Sequence, residues 1–222
     1  MRILLDVDGV VCDFTEWWYR KARGALGAGS LSKVDGDPQA WELRERHNLN
    51  PKAAALVERA VYTSSPEDML PILGAVQGVA QLADRGHDIH YVTTSFYPNP
   101  LWEWGRRRWF ERVFGRSDSK RLTFTAQKHI CAGDIFVDDK PANVAEWQRH
   151  NGGRGVVFGA ELGHPLLASS WEQLIELVDR EAEHRPAAEQ LLDRYDLEIG
   201  DPDRAGPLRA ALVRLLRRLD DA

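Results

Sequence analysis

Two aspartates spaced two residues apart, Asp6 and Asp8, close the apolar run Ile3-Leu4-Leu5 and are followed by Gly9. Side-by-side carboxylates at a strand end repel one another and resist desolvation unless a cation or a reaction uses them. Three further polar groups follow short apolar segments in the same way: Thr94-Ser95, Lys128 and Asp138-Asp139. No histidine or cysteine belongs to the set, which disfavours zinc. Carboxylate oxygens select a hard cation, and Mg²⁺ needs only one or two of them together with phosphate and water. Such a cation lets Asp6, Asp8 and Asp138 coexist ionised and screens an incoming anion from the carboxylates.

These residues must be brought together by the elements that carry them. An Asp-Gly pair also forms hairpin turns, but Phe14 to Leu26 has helical spacing at Trp17, Trp18, Ala22 and Leu26, which leaves no return strand. Gly24, Gly27 and Gly29 loosen that helix into a polar stretch broken by Pro38, and Asn50-Pro51 reads as an N-cap with proline at the first helical position. Ala53 to Val61 is a second short helix. From about 15 to 68 no strand is expected, so this segment reads as a small helical cap inserted after the first strand.

An α/β rhythm resumes at Pro71. Leu73–Arg85, Leu101–Phe114, Pro141–His150 and Ser170–Glu181 are expected helices, the last capped by Ser170. Asp88–Val92, Leu122–Phe124, Asp134–Val137 and Gly155–Phe158 are expected strands. Strands and helices alternating at these lengths imply a Rossmann-like α/β fold with a parallel sheet and right-handed crossovers. In such sheets ligands bind beyond the carboxyl ends of the strands, which is where all four polar sets fall. The expected division is a core of 1–14 and 69–182, a cap of 15–68 and a C-terminal helical extension of 183–222.

A chain of 222 residues with 43% hydrophobic content supports a sizeable core. A net charge of −5 argues against a stable nucleic-acid complex held by electrostatics. Two cysteines, Cys12 and Cys131, offer neither a disulfide framework nor a metal spacing and are expected to be small buried side chains in a reducing compartment. The first strand begins at residue 2, with no room before it for a signal peptide, and no apolar run reaches the ~20 residues of a membrane span. The expectation is a soluble cytoplasmic protein.

Asp6-Val7-Asp8-Gly9-Val10, Thr94-Ser95, Lys128 and Asp138-Asp139 resemble, in order, the four motifs of the haloacid dehalogenase-like phosphohydrolases, over residues 1 to about 160. Within them, Asp6 to Phe14, Leu70 to Val76 and Val137 to Pro141 are similar to the 5'(3')-deoxyribonucleotidase branch. Phe96 stands where that branch usually has proline, so the loop Phe96–Pro100 is expected to be shaped differently. The resemblance implies that Asp6 is the nucleophile and that Asp8 protonates the leaving oxygen and then deprotonates water. It implies Mg²⁺ held by a side-chain oxygen of Asp6, the backbone carbonyl of Asp8, and Asp138. Thr94 and the Ser95 amide would bind phosphate oxygens, and Lys128 would neutralise charge beside Asp6 and bind the phosphate. Asp139 would orient the metal's waters or Lys128, although tandem aspartates leave the choice of ligand open. The matching position in the branch faces the base, which makes Phe14 a candidate substrate contact.

Other features have blander readings. Trp17, Trp18, Trp41, Trp102 and Trp104 are expected to pack in core or cap. Arg106-Arg107-Arg108 reads as a solvated helix face, and His129 as structural. The leucine-rich tail, with Leu208, Leu212, Leu215, Leu216 and Leu219, reads as helices packed on the core, with a homodimer contact as the other use of that stripe. The functional expectation is a Mg²⁺-dependent phosphomonoesterase for (deoxy)nucleoside monophosphates. The alternatives are the same chemistry on a sugar phosphate, another small metabolite or a polynucleotide end, and a catalytically silent scaffold, against which the intact Asp6, Asp8, Lys128 and Asp138 set speaks.

Overall fold

A computed structural model describes residues 1–27, 31, 47–159 and 167–183. Among the described residues, six strands form one parallel sheet: β1 (Arg2–Leu5), β2 (Asp88–Thr93), β3 (Leu122–Phe124), β4 (Ile135–Asp138), β5 (Arg154–Phe158) and β6 (Leu167–Ala168), in the order β3-β2-β1-β4-β5-β6. The helices are α1 (Phe14–Leu26), α2 (Pro51–Tyr62), α3 (Ala75–Asp84), α4 (Trp102–Val113), α5 (Arg116–Ser119), α6 (Pro141–Asn151) and α7 (171–183). The strand order reverses at β1, where the chain first winds outward through β2 and β3 and then returns to β4 on the other side. A crevice opens at such a switch point, beyond the carboxyl ends of the two strands that flank it. Asp6 and Asp8 follow β1, and Asp138 and Asp139 lie at the end of β4.

β1 is buried on both faces because its residues Ile3, Leu4 and Leu5 are apolar in succession, as a central parallel strand requires. α1 buries Trp17, Trp18 and Ala22, and the Asp13 carboxylate caps it by accepting from the Glu16 amide at 2.9 Å. Trp17 Nε1 donates to Asp68 Oδ1 at 2.7 Å and Lys21 Nζ reaches Asp68 Oδ2 at 2.8 Å, so this helix is tied to the segment that leads into α3. Ser170 caps α7 through the Gln173 amide at 3.3 Å. Trp171 then reaches across the fold and donates from Nε1 to the Val10 carbonyl at 3.1 Å, bracing the loop after β1. Gly78 makes this close approach feasible, since a Cβ there would lie 2.2 Å from the Trp171 ring.

Strands and helices alternate along the chain as expected and the sheet is parallel, with differences at the margins. β6 has only two residues and, among the described residues, a single neighbour, β5, too short a run for periodicity to reveal. β4 extends through Asp138, whose backbone pairs with Val157, so this aspartate sits inside the sheet rather than in the loop. Cys12 is buried, but Cys131 is partly exposed, contrary to expectation. Of the segment read as a cap, 28–30 and 32–46 lie outside the described residues, as do Trp41 and the leucine-rich tail at 184–222. Among the described residues, no helix is long and apolar enough to cross a membrane.

Candidate active site

Four chain segments converge at the crevice. The Asp6 amide donates to Val137 O at 2.8 Å, continuing the β1–β4 pairing one residue beyond the strand and fixing the backbone from which the side chain projects. The chain then turns through the Val11 and Cys12 amides, which donate to Val7 O at 3.1 and 2.8 Å. Gly9 is required here twice over. Its φ is +82°, and a Cβ would fall 2.2 Å from Asp139 Oδ2.

Lys128, on the short 3-10 turn after β3, is 7% exposed. Its ammonium bridges Asp6 Oδ1 and Asp138 Oδ2 at 2.7 Å each. Burial works against that charge, yet the two carboxylates hold the Lys128 pKa above the ordinary lysine value. Asp138 is fully satisfied: Oδ1 accepts from the Lys140 amide at 2.8 Å and Asn143 Nδ2 at 3.0 Å, and Oδ2 from Lys128 and Asn143. Asn143 rides on the first turn of α6. The Asp139 carboxylate, by contrast, accepts no hydrogen bond among the described residues.

Carboxyl oxygens of Asp6, Asp138 and Asp139 lie within 4.8 Å of one another. Asp6 is 4% exposed. Burial first, then the charge of Asp138, pushes its carboxyl well above the usual range, with Lys128 opposing. The same two causes push Asp139 up to about 7. Lys128, with a weaker contribution from Lys140 at Asp139, does not offset the burial and mutual repulsion of these carboxylates. The donor set therefore fits a hard divalent cation, whose charge removes the repulsion that raises these pKa values.

Asp8 lies close enough for its charge to act on Asp6 and Asp139. Its Oδ1 accepts from Arg106 Nη2 at 2.6 Å. Thr94 is exposed after β2, its hydroxyl donating to Thr125 O at 3.4 Å. The Ser95 hydroxyl is buried and donates to Glu103, which leaves the Ser95 amide as the group free to meet an anion. Phe14 is partly exposed at the start of α1, its ring 5.9 Å from Trp17 and 6.2 Å from Trp102. Trp17, Trp18 and Trp102 are buried as expected, whereas Trp104 is 58% exposed.

The structure thus brings Asp6, Lys128, Asp138 and Asp139 into contact or near-contact, with Asp8 beside them and bonded to Arg106, Thr94 and Ser95 on the adjacent strand end, and Phe14 at the root of α1. The sequence reading missed Asn143, Glu103 and Arg106. Arg106 also corrects the solvated-face expectation for its triplet: it is wholly buried, while Arg107 and Arg108 are exposed. A signal existed, because Trp102, Arg106, Trp109 and Phe110 recur at the spacing of one helix face.

Residues 1–182 match the family described as 5' nucleotidase, deoxy (pyrimidine), cytosolic type C. A putative 5'(3')-deoxyribonucleotidase of Bordetella pertussis is 32% identical over 149 residues, covering 64% of this chain and 75% of that protein. The human mitochondrial 5'(3')-deoxyribonucleotidase is 24% identical over 146 residues, covering 64% of this chain and 63% of that protein. In fold, a haloacid dehalogenase-like protein of unknown function from Agrobacterium tumefaciens superposes with a TM-score of 0.52 at 14% identity, covering 82% of this chain and 98% of that one. A match through residue 182 takes in every strand of the sheet and each of the residues that converge at its carboxyl edge. The chain belongs to this nucleotidase family, phosphoric monoester hydrolases on a haloacid dehalogenase-like fold.

Proposed function

We propose that the protein hydrolyses (deoxy)nucleoside monophosphates in the cytoplasm, with Mg²⁺ and an aspartyl-phosphate intermediate on Asp6. The observation that carries this reading is the buried Asp6 carboxylate, held by Lys128 at 2.7 Å at the switch point of the sheet beside two further carboxylates. Asp6 attacks phosphorus as the bond to the leaving oxygen breaks, and Asp8 delivers a proton to that oxygen. Water then attacks the phosphoryl group, gives its proton back to Asp8 and releases phosphate and the Asp6 carboxylate. Lys128, the Thr94 hydroxyl and the Ser95 amide hold the phosphoryl oxygens. When bound, Mg²⁺ supplies the positive charge that lets an anionic substrate approach this acidic site.

The hydrogen bonds of the tandem aspartates favour Asp139 as the metal ligand and Asp138 as the partner of Lys128, the reverse of what the family resemblance implies. Both oxygens of Asp138 are occupied by Lys128, Lys140 and Asn143, which suits it to holding Lys128 in place. Asp139 has open lone pairs and a raised pKa, which suits it to ligate the cation with Asp6 and the Asp8 carbonyl. In this proposal the chain divides into a core, a cap and a C-terminal extension, and the cap supplies selectivity.

The test is turnover of a panel of nucleoside monophosphates and sugar phosphates, before and after chelation, in the wild type and in Phe14→Ala. Nucleotides are expected to be preferred, chelation to stop turnover and Mg²⁺ to restore it. Stacking a base on an aromatic face is worth ~1–3 kcal/mol, so Phe14→Ala is expected to lower kcat/KM on nucleotides by about one to two decades and to spare small aryl esters. Sugar phosphates turned over as well as nucleotides would leave only a general phosphatase. Full activity after exhaustive chelation would remove the metal from the scheme.

The raised carboxyls also make a stability prediction. Without metal, the folded state keeps protons on Asp6 and Asp139 that the unfolded chain has released. Stability is therefore lost as pH rises from the ordinary aspartate value of 3.8 through about 7. At pH 8, Mg²⁺ at about 100 times its Kd is expected to raise Tm by roughly 5–10 °C. At pH 5 the same Mg²⁺ concentration should give a much smaller rise, because protons compete for the carboxyls and raise the Kd. Equal shifts at the two pH values would show that these carboxyls do not carry the linkage.

A further inference from the structure

Arg106 is a guanidinium wholly enclosed in the protein, on α4, outside the motifs that define the site. Its plane lies over Trp102, 4.8 Å from the ring centroid, with Trp109 at 5.9 Å. Nη1 meets only sulfur, Cys12 Sγ at 3.0 Å and Met69 Sδ at 3.2 Å, and Nε has no partner among the described residues. Its one strong acceptor is Asp8 Oδ1 at 2.6 Å. As a packing device this is costly: an apolar side chain of similar volume fills such a space without the desolvation of a charge. The aromatic walls and weak sulfur acceptors leave the cation essentially one direction in which to bond.

Asp8 shows the complementary asymmetry. Oδ1 is taken by Arg106, no other hydrogen bond reaches its carboxylate among the described residues, and its side chain is 28% exposed. Fixing one oxygen through a rigid planar donor sets the direction of the other.

We propose that Arg106 is a positioning residue for leaving-group protonation: it clamps Oδ1 of Asp8 so that Oδ2 stands toward the oxygen that departs from phosphorus. The proposal rests on the phosphomonoesterase reading above. It predicts a dependence on the leaving group that packing alone does not. A nucleoside leaves as an alkoxide and needs the proton that Asp8 Oδ2 delivers, whereas 2,4-dinitrophenolate is stable without one. Misplacing a reacting group by about 1 Å costs roughly 10²-fold, within the ~10²–10⁴-fold contributed by general acid catalysis.

The experiment compares kcat and kcat/KM of the wild type, Arg106→Met and Arg106→Lys on a deoxynucleoside monophosphate and on 2,4-dinitrophenyl phosphate. Because kcat/KM reports only steps up to phosphorylation of Asp6, Arg106→Met is expected to lose about 10²-fold on the nucleotide and only a few-fold on the dinitrophenyl ester. On that ester kcat and KM should fall together, because Asp8 must still take a proton from water in the second step. In an Asp8→Asn background, Arg106→Met should cost no more than a further few-fold on the nucleotide. Equal losses on the two esters, or full additivity with Asp8→Asn, would make Arg106 a packing residue and overturn the proposal. Arg106→Lys keeps a cation in place should the methionine variant fail to fold, and the same inequality between esters is required of it. A wild type inactive on both esters would overturn the hydrolase reading itself, an outcome visible before any variant is compared.

Discussion

Asp6→Asn is expected to lower kcat by at least ~10³-fold while leaving a folded protein. The amide is nearly isosteric with the carboxylate, keeps a carbonyl oxygen for Lys128, and leaves Lys128 its second anchor on Asp138 at 2.7 Å. What it lacks is an anionic oxygen able to bond to phosphorus. Burial and the neighbouring carboxylates already destabilise the charge on Asp6. Removing it should therefore leave the chelated protein at pH 8 as stable as the wild type or more so, the reverse of the usual cost of altering a buried ion pair. The pairing of lost turnover with unharmed stability separates a nucleophile from a structural carboxylate. Phosphate release and thermal unfolding on the same purified sample check it. Near-normal release would end the covalent scheme, and a collapse of Tm would mean that Asp6 chiefly holds Lys128.

Much of the architecture was legible because the local signals agree with one another. The run Ile3-Leu4-Leu5 is apolar without interruption, as a strand buried on both faces demands, and α1 spans Phe14 to Leu26, as the spacing of Trp17, Trp18, Ala22 and Leu26 predicts. Asp6, Thr94, Lys128 and Asp138 could be placed at one edge because each follows a short apolar segment and parallel strands all point the same way. Arg106 was not legible by composition, since one arginine in a triplet looks like its neighbours, and only the phase of Trp102, Trp109 and Phe110 distinguishes it. The two-residue β6 lies below the length at which alternation carries information. The division of labour between Asp138 and Asp139 could not be read from adjacency either. It depends on which side chain the Asn143 amide and Lys128 ammonium reach, and those arrive from two other elements.

Asp139→Asn and Asp138→Asn are accordingly expected to fail in different ways. Asp139 accepts no hydrogen bond among the described residues, so its substitution disturbs no network and relieves a carboxyl whose pKa is pushed up to about 7. That variant should be at least as stable as the wild type without metal. Its half-activating Mg²⁺ concentration should rise by more than the ~10–100-fold typical of losing an outer partner of a metal site. Asp138→Asn disrupts a buried carboxylate that accepts four hydrogen bonds from three residues. It leaves donors facing donors and should cost about 1–3 kcal/mol of stability, or roughly 2–12 °C in Tm for a chain of this size. Its Mg²⁺ requirement should move much less, while kcat falls because Lys128 is held by Asp6 alone. Metal titrations of activity, set beside Tm values for the chelated proteins, distinguish the two. The opposite pattern, with the Mg²⁺ requirement moving in Asp138→Asn and the stability in Asp139→Asn, would return the metal to Asp138.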